Sequence, residues 1–100
     1  MRPYTTPTHT FAFDVDTSLI KTLKCKYRQN GTDVLEKSTD DFTFDGYTAS
    51  ITLTQEDTAL FGDNQLAQVQ FHLLTDGGDA LMSNTITINV FESFFNEVIS

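Results

Sequence analysis

Apolar and polar residues alternate along most of this chain, and a repeat of two is the mark of a strand with one face buried. Phe11, Phe13 and Val15 alternate with Ala12, Asp14 and Asp16. The pattern is clearest in the next stretch, where Leu23, Cys25 and Tyr27 point one way and Lys24, Lys26 and Arg28 the other. A 3.6-residue repeat would put lysines into the apolar stripe, so helix is excluded there. Tyr47, Ala49, Ile51 and Leu53 alternate with Thr48, Ser50 and Thr52, and Ala67, Val69, Phe71 and Leu73 with Gln68, Gln70 and His72. A final strand over about 80–90 carries Ile86, Ile88 and Val90 against Thr85, Thr87 and Asn89. A return strand over about 33–38 and the short Phe42-Thr43-Phe44 stretch complete the set. The expected core is Leu23, Tyr27, Ile51, Leu53, Val69, Phe71, Ile86 and Ile88.

Between these runs lie turn signals. Asn30-Gly31 suits a type I′ hairpin, whose two central residues need positive φ. Asp45-Gly46 and Asp76-Gly77-Gly78-Asp79 mark two more hairpins. At Thr54-Gln55-Glu56-Asp57 the repeat changes: Thr54 reads as a helix N-cap with acids in the first turn. Leu60 and Phe61 then close a short helical turn near 54–61 onto the core before Gly62. About seven short strands at 8–12-residue spacing predict an all-β, antiparallel, immunoglobulin-like sandwich forming one domain over 1–100. A partly open barrel shares the same periodicity.

The two ends read differently. Pro3 and Pro7 fix φ and remove donors, so residues 1–10 are expected to form an extended arm, with His9 in it. In 91–100, Phe91, Phe94, Phe95, Val98 and Ile99 fall at i, i+3, i+4, i+7 and i+8, one face of a short amphipathic helix. Ten residues of helix are marginal alone. The face is therefore expected either to plug the chain's own sandwich or to dock on another chain, and these five residues are the candidate interface.

Charge narrows the function classes. Six basic against fourteen acidic residues give −8, a surface sign that repels phosphate backbones and anionic lipid; nucleic-acid and membrane binding are not expected. The first 37 residues carry six basic and four acidic side chains, or +2, while 38–100 carry ten acids and no Lys or Arg, or −10. Five of the six cations, Lys21, Lys24, Lys26, Arg28 and Lys37, lie within seventeen positions. Such a dipolar chain suits a basic strand meeting an acidic neighbour, another copy included.

Candidate chemistry is sparse. His9 and His72 are the neutral-pH bases, each read as an ordinary surface histidine. No nucleophile elbow, zinc-binding helix motif or phosphate-cradling glycine loop occurs, so neither enzyme activity nor a cofactor is expected. Cys25 has no disulfide partner and reads as a small buried hydrophobe. Acidic turns (Asp14 and Asp16, Asp40 and Asp41, Asp76 and Asp79) raise calcium or glycan binding as the alternative function, but none has the spaced oxygen ligands of a calcium loop. No metal is therefore expected. The amino-terminal residues lack the apolar run of a signal peptide.

Several stretches resemble a known group. Phe11-Ala12-Phe13-Asp14 with Asp16-Thr17-Ser18-Leu19-Ile20, Val34-Leu35-Glu36-Lys37, Leu53-Thr54-Gln55-Glu56-Asp57-Thr58, and Asp76-Gly77-Gly78-Asp79-Ala80-Leu81 leading to Ser83-Asn84 are similar to roughly hundred-residue proteins of phages and prophages of gut bacteria. The chain also resembles, loosely, the N-terminal sandwich module of phage baseplate upper proteins. The resemblance implies a non-enzymatic, virion-associated structural or interaction protein, located in a virion or the bacterial cytoplasm. Its implied partners are protein: further copies of itself or a larger virion assembly.

Overall fold

The computed structural model describes residues 1–100. In chain order the strands are β1 (Thr8–Ala12), β2 (Ile20–Gln29), β3 (Thr32–Ser38), β4 (Thr43–Asp45), β5 (Thr48–Thr52), β6 (Gln65–Thr75), β7 (Ala80–Met82) and β8 (Ile86–Val90), with one helical turn, α1 (Gln55–Thr58), between β5 and β6. They form two antiparallel sheets, β1-β5-β4 and β3-β2-β6, with β7 and β8 both paired to β6. Reading β1 to β6 as strands B, C, C′, D, E and F, and β7 with β8 as G, gives B-E-D facing C′-C-F-G. That is the immunoglobulin order. No strand joins the two sheets, so the architecture is a sandwich and not a barrel.

Local sequence explains most elements. Asn30 and Gly31 take φ of 52° and 76°, the two positive values a type I′ turn between β2 and β3 requires. Thr54 caps α1 through a reciprocal pair: its hydroxyl accepts from the Asp57 amide at 3.1 Å, and the Asp57 carboxylate accepts from the Thr54 amide at 3.1 Å. Burial opposes ionisation of Asp57, but bonds from the Thr54 amide and from Lys37, 3.1 Å away, outweigh it and hold the carboxyl below its usual range. The helix ends at Thr58; Phe61 then turns into the core, whereas Leu60 stays exposed.

The inward side chains of β2, β5 and β6 meet between the sheets. Leu23, Tyr27, Ile51, Leu53, Val69 and Phe71 are buried as expected; Ile86 and Ile88 are only partly buried, and Val90 is the buried residue of β8. Antibody domains tie strand B to strand F by a disulfide. Here Phe11 of β1 and Phe71 of β6 span the sheets edge to face, with ring centroids 4.8 Å apart.

Three expectations are corrected. The extended arm is shorter than 1–10, because β1 begins at Thr8, paired to Thr52. Pro7 lies just outside and contributes only its carbonyl, which accepts from the Leu53 amide at 2.9 Å. Second, β1 ends at Ala12 instead of continuing to Val15, since Asp16 accepts from the Ser18 amide at 3.0 Å and starts a tight turn. Third, the expected single strand over 80–90 is two. The Ser83 amide donates to the Phe71 carbonyl (3.0 Å), while its hydroxyl accepts from the Phe71 amide (2.8 Å). A hydroxyl thus replaces a ladder carbonyl and breaks the strand, giving eight strands in place of seven.

Candidate interaction surface

Beyond Val90 the chain is neither helix nor strand. The expected C-terminal helix is absent, and so is the plug: no residue of 91–100 joins the buried core. A ten-residue helix needs its apolar face covered, and the domain offers this tail polar anchors instead. The Phe91 amide donates to the Met1 carbonyl at 2.8 Å, and the Arg2 guanidinium donates to the Glu92 carbonyl while lying 5.4 Å from the Phe91 ring centre. Asp63 accepts from the Ser93 amide at 3.0 Å. The Gln55 amide clamps Ile99, donating to its carbonyl and accepting from its N–H, both at 2.8 Å.

These anchors hold the backbone and leave the side chains in water. Phe94 is 91% exposed, Ile99 77% and Phe95 73%, with Phe91 and Val98 about half exposed. Together with Arg2, Pro3 and Tyr4 the tail borders an open cleft of about 800 Å³. Four of the five residues singled out from the sequence, Phe94, Phe95, Val98 and Ile99, are therefore brought together at this cleft, in an extended segment and not on a helix, while Phe91 lies against Arg2. Their anchors Arg2, Gln55 and Asp63 carry no sequence signal, because each bond joins positions thirty or more residues apart.

A second surface lies on the outer face of the larger sheet. Lys24, Lys26 and Arg28 project from β2 beside Gln70 and His72 of β6, lining with Met82 a groove of about 440 Å³. Lys26 and Arg28 both reach Asp33, at 3.3 and 2.5 Å, and Glu36 stands opposite Lys26.

Burial pushes the Cys25 thiol up to about 12, so the thiolate nucleophile is scarce at neutral pH. His72 is exposed on β6, whereas His9 is not the arm residue expected: it sits half-buried in β1, its Nδ1 2.8 Å from the Tyr27 hydroxyl. Asp16 and Asp41 accept from nearby backbone amides, and no three His, Cys, Asp or Glu side chains gather in a metal-holding group. No helix is long and apolar enough to cross a membrane.

No protein-family model and no curated protein matches the sequence. Among solved structures, the V domain of amphioxus IgVJ-C2 is similar over 91% of this chain and 97% of that one, at 17% identity and a TM-score of 0.35. The immunoglobulin-like order rests on the strand pairings of this chain itself.

His9 makes stability depend on pH. Burial, then the amino-terminal charge, hold its imidazole below the ordinary 6.5. Below that pH the unfolded chain takes up a proton that the folded one resists, so stability is full above about 6.5 and falls as the pH drops toward the folded value. Melting temperatures between pH 7 and 5 should show this decline, and His9→Gln should flatten it. An unchanged slope in the variant would assign the decline to other groups.

Proposed function

We propose that this chain is a non-enzymatic assembly module that associates with further copies of itself through Phe91, Phe94, Phe95, Val98 and Ile99. The resemblance of its turns and strand ends to phage and prophage proteins makes a virion part the setting. The observation that carries the reading is the exposure of these five side chains. At roughly 200 Å² for a buried phenylalanine, and less for Val and Ile, they present on the order of 600 Å² of apolar area. That matches the largest patches found on monomers, which are often functional, and approaches the ~800 Å² per partner of a standard interface.

Deleting residues 92–100 tests it. The core closes at Val90, so the truncated protein should stay folded by circular dichroism. Light scattering after size-exclusion chromatography should show the full chain gaining mass with concentration and the truncated chain remaining a monomer. Equal masses for the two at every concentration would overturn the proposal.

A further inference from the structure

We infer that the acceptor for this tail is the basic outer face of β2 and β6 on a second copy, with Phe94 and Phe95 laid against Lys24, Lys26 and Met82, and Glu92 and Glu97 opposite the cations. The inference rests on the assembly role proposed above and names its partner surface.

Charge selects that surface. The chain has six cations and none after Lys37. Lys37 is engaged with Asp57, and Arg2 with the tail of its own chain. Lys26 and Arg28 share one exposed carboxylate, Asp33, a pairing that contributes little and exchanges easily. Lys21 and Lys24 have no ion-pair partner, and of the two it is Lys24 that lines the groove. With three cations against the carboxylates of Asp33 and Glu36, the strip keeps one net positive charge on a chain of net charge −8. The tail supplies Glu92 and Glu97 on either side of its two exposed phenylalanines.

The apolar part of the contact is matched as well. Lysine stems are hydrocarbon up to the ammonium, and an aromatic face attracts a cation placed over it. The chain makes one such contact already, between Arg2 and Phe91. Met82 adds an exposed, adaptable thioether at the groove wall. Tail and groove share no lining residue. Two copies can therefore exchange tails about a two-fold axis, or each copy can offer its tail to one neighbour and its groove to another.

Charge exchange between two variants tests this. Lys24→Glu/Lys26→Glu and Glu92→Lys/Glu97→Lys should each self-associate about tenfold more weakly than the unaltered chain by sedimentation velocity. An equimolar mixture should recover assembly, because each tail then faces a strip of opposite sign. Lys24→Glu alone breaks no ion pair and serves in place of the double variant if that one melts early. Raising salt from 50 to 500 mM should weaken association of the unaltered chain. If the lysine variants assemble normally while deletion of 92–100 abolishes assembly, the acceptor lies elsewhere and only this inference falls. If the deletion changes nothing, the assembly role falls with it.

Discussion

Truncation of Phe71 to alanine removes about 3–5 kcal/mol of stability, the range for emptying a fully buried aromatic site. The ring is 1% exposed at the middle of β6. Three other rings close on it edge to face: Phe11 at 4.8 Å, Phe13 at 5.1 Å and Phe42 at 5.9 Å. They come from β1, the segment after it, and the residue before β4, so one side chain joins the small sheet to the large one. Edge-to-face pairs add about 0.5–1.5 kcal/mol each beyond the area they bury. Alanine would leave a void lined by three rings that cannot all follow it inward. With no B–F disulfide in parallel, nothing compensates. A domain of this size has about 5–15 kcal/mol in total, so the loss lowers the melting temperature by about 15 °C or more. Thermal unfolding followed by circular dichroism measures it. A shift of a degree or two would show that Phe71 does not join the sheets.

Tyr27 is the second expected weak point, and two substitutions separate its two contributions. Its ring is fully buried on β2, edge-on to Phe61 at 5.7 Å and tilted over His9 at 5.8 Å. Burial raises its phenol far above the ordinary value, so the hydroxyl stays protonated and available to His9 Nδ1 at 2.8 Å. Tyr27→Ala should cost about 3–5 kcal/mol through the cavity. Tyr27→Phe keeps the ring and removes only the hydrogen bond, for about 1 kcal/mol. Urea unfolding of both variants resolves the two values. Equal losses would mean that the hydroxyl, and not the packing, holds this end of the sandwich.

Where the sequence reading succeeded, the decisive interaction was local. Leu23, Cys25 and Tyr27 could be assigned inward because successive strand residues face opposite ways whatever the strand pairs with. The Thr54 cap was legible because its partner Asp57 lies three residues away. Asn30-Gly31 was legible because the two residues that need positive φ are the turn itself. The apolar character of the last ten residues was legible because it is composition alone, and the structure leaves those side chains exposed.

The misses have a common cause in distance along the chain. The break between β7 and β8 depends on Ser83 meeting Phe71, twelve positions earlier. Local sequence places His9 in the arm, because its partner Tyr27 lies on the other sheet. The tail has the apolar spacing of a helix, but spacing alone does not stabilise ten residues, and the surface beneath it presents Gln55, Asp63 and Arg2 to the backbone instead of an apolar groove. By itself the sequence determined which faces are apolar, where the chain turns and where the helical cap sits, since these depend on neighbours within about four residues. Only the tertiary structure decided the strand order, the aromatic link between the sheets and the extended, exposed state of the tail, because each is set by groups that folding brings together from far apart.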